Sequence, residues 1–248
     1  MSSALRVLEV CEALSELQPI GVRELARRID QPRSSVQRAL ETLLAGGWAA
    51  RSDDAEWVLT SRCFLIGARA GAAGALQALA RPAMVRLLAL TDESVRLWVL
   101  EGDHMALVQS LDGTQPVRYV SPPPGAVLPL HASASGKAVL AQLPAREVDD
   151  YLDRPLPATT ERTITDPGVL RDELAATRLR GWSQTFHEAR SDVGGVAAAV
   201  LDSAGRPVAA LSLALPMHRV TEALVARYGA AVAKEAAWLS DEFTGTGH

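Results

Sequence analysis

The chain has 248 residues, with 25 lysines and arginines against 29 acids and a formal net charge of −4. With 48% hydrophobic and 22% charged residues it has an ordinary globular composition, which excludes a wholly disordered chain and a nucleic-acid coat spread over the entire surface. The longest strongly apolar run, Val208 to Met217, is far short of the ~18 residues a membrane span needs.

No signal-peptide apolar segment opens the sequence, so a soluble cytoplasmic protein without a membrane partner is expected. Cys11 and Cys63 share no CxxC or Cys/His spacing. They are expected to be small buried hydrophobes, not a disulfide framework or a zinc knuckle.

In chain order, Ala4, Val7, Leu8, Cys11 and Leu14 recur at helical spacing and stop before Gln18-Pro19, predicting a first amphipathic helix. A second short helix follows, with Gly21 at the N-cap, Glu24 in a capping-box position and Leu25, Ala26 and Ile29 inward. Pro32, a favoured first helical residue, announces a third helix that ends at Gly46-Gly47. Its inward side holds Val36, Leu40, Leu43 and Leu44, and its polar side Arg33, Ser34, Ser35, Gln37, Arg38 and Glu41. Alternation in Trp48 to Leu59 about a Ser-Asp-Asp turn predicts a hairpin. Three helices and a hairpin make a winged helix-turn-helix.

From Thr60 to about Leu79 the chain becomes Ala/Gly-rich with helical spacing of Leu and Ile, which predicts a connecting helix. Beyond it, strand-like runs at 94–100, 105–110, 196–201 and 208–215 alternate with helical stretches at 82–90, 133–142, 167–180 and 221–243. Turns such as Glu101-Gly102-Asp103 and Asp202-Ser203-Ala204-Gly205 separate them. The fold class expected is α+β, with a helix-turn-helix domain over residues 1–62, a linker helix over 63–79 and an effector domain with an antiparallel sheet over 80–248.

A recognition helix places its N-terminal residues against base edges, so it needs short polar side chains and forked donors there. PRSSVQR supplies them. Arg33 and Arg38 suit guanine or phosphate, Gln37 suits adenine, and Ser34 and Ser35 suit phosphates at a helix N-terminus. Between residues 21 and 40 five arginines oppose two acids, a local balance of +3 inside an acidic chain. Arg23 is expected to add a contact, and Arg51 on the hairpin a wing contact.

The segments ALRVLEVCEAL, VRELARRIDQPRSSVQRALETLLAGGWAAR, LHASASGKAVLAQLP and GWSQTFHEARSDVGGVAAAVLDSAGRPVAALSLALP resemble the IclR family of bacterial transcriptional regulators. The resemblance runs from about Ala4 to Trp238. It implies a winged helix-turn-helix, a linker helix and a GAF-like effector-binding domain, in homodimers or homotetramers that bind double-stranded operator DNA and answer to a small organic acid.

HASASGKAVLA, read by itself, is a small-residue stretch opening a helix whose free backbone N–H groups suit a carboxylate. The resemblance adds that positions matching Ala134, Ser135, Thr185, Val193, Gly195, Ser212 and Ala214 line the ligand pocket. Leu130 joins the expected set, and Trp98, Phe186 and His187 are read as aromatic walls beside Gly194-Gly195, which predicts a larger or aromatic acid. His187 is in addition a candidate pH-sensitive donor to the ligand.

No catalytic residue, metal site or cofactor is expected. Ser135-Gly136-Lys137 lacks the first glycine and the trailing hydroxyl of a phosphate loop, Ala134 stands where a Ser-x-x-Lys nucleophile would be, and the histidines lack ligand spacing. His131, beside the small-residue stretch, is the one histidine placed as a metal-ligand candidate. The competing reading is a metabolite-binding protein or enzyme that uses its helix-turn-helix for protein contacts.

Overall fold

The computed structural model describes residues 2–69 and 71–245, without the side chains of Phe64 and of residues 67–69 and 71–73. The expected linker, 63–79, therefore lies partly outside the described residues, as do the first residue of the DNA-binding domain and the last three of the effector domain. The chain divides into two compact units, Met1–Gly74 and Ala75–His248.

The first unit begins with α1 (Ser3–Leu17), α2 (Val22–Arg28) and α3 (Arg33–Ala45), followed by β1 (Ala49–Arg51) paired antiparallel with β2 (Trp57–Leu59), then α4 (Ser61–Arg69). Ser2 caps α1 by accepting from Leu5 N–H. Its buried stripe is Val10 and Leu14 with Val7, Cys11 and Leu17 against it, while Ala4 and Leu8, expected inward, face out.

Gly21 stands at the N-cap of α2, but Glu24 does not close a capping box. Its carboxylate is taken by Arg27 and Arg28 at 2.5–3.0 Å, because the forked donors one turn on outbid a backbone N–H. Pro32 is the N-cap of α3 and not its first residue, with ψ 130° still extended. Val36, Ala39, Leu40 and Leu43 are buried, whereas Leu44, expected inward, is 44% exposed. Gly47, at φ +73°, turns the chain into the hairpin, and Trp57, 1% exposed, closes the core from β2. Cys11 and Cys63 are free and only half-buried, less enclosed than expected, and burial and the nearby Cys63 thiol both push the Cys11 thiol up.

The second unit starts on α5 (Gly71–Thr91), which runs straight through Pro82, where a separate helix was expected to begin. Leu76, Ala80, Ala83, Met84 and Leu87 are all buried in one cluster, and that burial outweighs the hydrogen bond Pro82 cannot donate. Then follow β3 (Ser94–Glu101), β4 (His104–Leu111), β5 (Val127–Pro129), α6 (Ala134–Leu140), α7 (Ala145–Leu152), α8 (Pro167–Arg180), β6 (Ser183–Phe186), β7 (Val193–Leu201), β8 (Pro207–Pro216) and α9 (Glu222–Gly245). The six strands form an antiparallel sheet ordered β5-β4-β3-β8-β7-β6.

Strand alternation sorts residues to two faces. Val95 and Leu97 of β3, Leu211, Leu213 and Leu215 of β8, and Val196, Ala198 and Val200 of β7 pack in the same cluster as α5 and α9. The alternate residues, Trp98, Ala197 and Ala210 among them, belong to the opposite face with α6, α7 and α8. There Ala134 and Ala138 meet Ala197 and Ala199, so α6 lies close on β7 through small side chains. Gly136 is required for α6 to lie against the segment that leads into it, since a Cβ on it would fall 2.3 Å from the Cα and carbonyl oxygen of Leu130. The sequence reading missed α7, β5 and β6.

Candidate functional site

In the first unit, α3 presents Arg33, Ser34 and Arg38 to solvent, and Arg23 of α2 is also exposed. Arg23, Arg33 and Arg38 have no acidic partner among the described residues, whereas Arg27 and Arg28 are tied to Glu24. Three unpaired guanidinium groups thus remain of the local positive charge, the arrangement that phosphate binding with counterion release requires. Gln37 is half-buried and donates to Glu41 at 2.7 Å, so it must exchange that bond to read a base. Ser35, expected on the polar side, is only 9% exposed, because 3.6-residue periodicity turns it toward the core beside Val36. Arg51 is exposed on the hairpin, its guanidinium 4.5 Å from the Trp57 ring centroid.

In the second unit a cavity of about 70 Å³ opens to solvent between the sheet and α6. The expected residues Trp98, Ala134, Ser135, Thr185, Val193, Gly195, Ser212 and Ala214 all line it. Register explains their convergence: Arg96 pairs with Ser212, Gly195 with Ala214 and Thr185 with Gly195 across neighbouring strands. Trp98 Nε1 donates to Ser212 Oγ at 3.0 Å, which pins the indole as one wall.

Leu130 and His187 stand apart from this lining. Leu130 is buried beneath Gly136 and packs in the core with Val139 and Leu140. His187 is held at φ +63° with Nδ1 against the Ser191 carbonyl, and its own carbonyl accepts from Thr160 at 2.5 Å, so it shapes the β6–β7 loop and makes no wall. Phe186 packs on the α9 face instead. The metal-ligand candidate His131 is 1% exposed, with Nδ1 2.9 Å from the Tyr151 hydroxyl and Nε2 3.0 Å from the Pro157 carbonyl oxygen, so both ring nitrogens are used structurally. No cluster of metal-ligating side chains occurs among the described residues.

Sequence reasoning missed Arg96. It is 6% exposed, its Nε donates to Ser121 Oγ at 3.0 Å, and its Nη2 is buried without a hydrogen-bond partner among the described residues. Its guanidinium lies 4.2 Å from the Tyr119 ring centroid. Burial pushes its pKa down to about 10, with Tyr119 and Asp112 opposing, so it remains a cation at neutral pH. The cavity lining contains no acidic residue.

The far wall is just as firmly built. Ser133 Oγ caps α6 by accepting from Gly136 N–H at 3.1 Å, which occupies a donor expected to face a carboxylate. Lys137, 1% exposed, donates to both oxygens of Glu188 at 2.6 and 2.8 Å. That buried pair ties α6 to the β6–β7 loop, and burial raises the Glu188 pKa against the pull of Lys137. Lys137 is thus a structural cation, not part of a phosphate loop.

A helix-turn-helix with unpaired cations in one unit, and a cavity built around a buried cation in another, define a DNA-binding regulator with an effector-binding domain. The family profile "IclR helix-turn-helix domain" matches residues 3–53, and "Bacterial transcriptional regulator IclR C-terminal" matches residues 73–241. The chain is 33% identical to the acetate operon repressor of Salmonella typhimurium over 251 residues, 99% of this chain and 91% of that protein. It is 32% identical to the transcriptional repressor IclR of Escherichia coli, covering 95% and 88%. An IclR homolog of Microbacterium hydrocarbonoxydans complexed with 4-hydroxybenzoate superimposes with a TM-score of 0.86 at 26% identity, covering 99% and 100% of the two chains. The chain belongs to the IclR family of bacterial transcriptional regulators. Its relatives are named as regulators and repressors, not enzymes.

Proposed function

We propose that this protein is a cytoplasmic regulator that docks on operator DNA as a homo-oligomer and whose hold on that DNA changes when a small carboxylic acid, aromatic or of similar bulk, enters the cavity of the second unit. The observation that carries the ligand class is Arg96. A buried guanidinium with an unfilled donor, in a lining without an acid, is stabilised by an anion that arrives from solvent. Trp98 and Tyr119 supply aromatic surface. The 4-hydroxybenzoate complex of the Microbacterium protein is consistent with an acid of this size.

On the DNA side the reading assigns Arg33, Ser34, Gln37 and Arg38 to the major groove, Arg23 to phosphate and Arg51 to the wing contact. Ser35 supports α3 from beneath. Leu5 and Leu8, 57% and 59% exposed on α1, are apolar surface suited to a second copy of the chain. The helices α4 and α5 join the two units in sequence and are assigned the role of carrying the ligand's effect.

The test is a gel-shift titration of the full-length protein on the DNA upstream of its own gene, in a salt series, with and without a panel of carboxylic acids. Expected are a linear fall of log K with log salt and an altered affinity with at least one acid. Salt-insensitive binding, or turnover of an acid that fills the cavity, would overturn the reading in favour of a metabolite enzyme with a protein-docking helix-turn-helix.

A further inference from the structure

The cavity lining holds a second cation. Arg190, on the β6–β7 loop, lies with its guanidinium 5.3 Å from the centroid of the same Tyr119 ring that Arg96 covers at 4.2 Å. We propose that the effector is a small dicarboxylate, with one carboxylate on the Arg96 guanidinium and the second on Arg190, the two ends spanning Tyr119. The proposal rests on the reading of this cavity as the effector site and specifies its ligand.

Both guanidinium groups lie against one ring, so the anionic groups that reach them are separated by no more than a short chain or an aromatic edge. Each cation is under-neutralised. Arg96 reaches its nearest acid only through a hydroxyl, since Ser121 Oγ in turn donates to Asp112 at 2.6 Å. Arg190 gives only Nε to Asp192, at 3.3 Å, in a pair whose side chains are 58% and 64% exposed. Such a pair is worth little and is readily exchanged for a ligand. The two cations also repel, since Arg190 contributes to the lowered pKa of Arg96. A monocarboxylate on Arg96 leaves Arg190 as it was, whereas a dicarboxylate relieves both.

The rest of the lining fits a compact ligand backbone. Ala134, Gly195 and Ala214 leave room for carbon, Trp98 bounds it, and the hydroxyls of Ser135 and Thr185 offer hydrogen bonds without charge. Tyr119 is itself held in place. Its carbonyl accepts from Ser94 Oγ at 2.6 Å, and two residues earlier the Val117 carbonyl accepts from Arg219 at 2.5 Å, so the ring that spaces the arginines is fixed to the sheet unit.

The experiment is calorimetric titration of the full-length protein with two matched pairs, phthalate against benzoate and glutarate against butyrate, on the wild type, Arg190→Gln and Arg96→Gln. Expected is about tenfold or greater preference for each diacid in the wild type, as one added charge-assisted contact would give. Arg190→Gln should reduce that preference to about twofold, and Arg96→Gln should weaken all four. Equal affinity for diacid and monoacid in the wild type, or an Arg190→Gln variant that retains the preference, would overturn the dicarboxylate assignment while leaving an acid effector standing. Failure of all four acids to bind would overturn the acid-effector reading and this proposal with it. Unchanged thermal unfolding of Arg190→Gln without ligand is the control for folding.

Discussion

The two units solve opposite problems with charge. In the DNA-binding unit the cations proposed to meet DNA are exposed, close in sequence and unpaired, so Arg23, Arg33 and Arg38 touch nothing acidic and contribute little to folding. In the effector unit the cations that matter are buried and drawn from distant segments: Lys137 meets Glu188 across 51 positions, and Arg96 reaches forward to a hydroxyl at 121. Substitutions in the first unit should therefore separate binding from stability. In the second they should couple them.

The largest effect is expected from Lys137→Met, which strands the Glu188 carboxylate in a buried site. Urea denaturation should show a loss of about 3–5 kcal/mol, and a loss under 1 kcal/mol would mean the pair is not the clamp described. Gly136→Ala comes next. Its Cβ meets backbone rather than a yielding side chain, so about 3 kcal/mol of stability should go, together with acid binding, as read by thermal shift with and without benzoate.

Arg38→Ala should cost about 1–3 kcal/mol in operator affinity with no change in melting temperature. If the melting temperature falls instead, the contrast between the units breaks down. Arg23→Ala should weaken binding evenly across sequences and lower the salt slope by about one, measured by fluorescence anisotropy on operator and on unrelated DNA. Smallest of all is Arg27→Gln, on an exposed pair that shares Glu24 with Arg28, for which urea denaturation should show no measurable change in stability.

How far the fold was legible followed from the length and punctuation of each segment. The helix at Pro167–Arg180 was read to the residue, because Asp166 caps it, proline opens it and Gly181 at φ +79° ends it. The strands at 94–101 and 207–216 were visible as long apolar runs. The three-residue strand at 127–129 and the four-residue strand at 183–186 were not, since alternation over so few residues is indistinguishable from loop, and both lie at the edges of the sheet.

The candidate site divides the same way. Small residues such as Ala134, Gly195 and Ala214 were found through the family resemblance, and the cavity has them as its lining. Arg96 escaped because an arginine inside a strand-like run reads as a solvated position. Only the register that sets it opposite Ser212, under a loop that offers Ser121 and Tyr119, shows it to be enclosed. His187 erred in the other direction, being polar, aromatic and well placed in sequence, yet consumed by its own loop.

The sequence by itself determined the helix-turn-helix, the basic character of α3, the α+β class and the family, all of which rest on local periodicity, capping and contiguous motifs. The tertiary structure decided where charge is left over. Whether an arginine is paired, stacked or unsatisfied depends on partners tens of residues away, and one step of strand register settles which face a side chain joins. Burial then magnifies the consequence, because an unfilled donor costs little in water and much in a cavity without it.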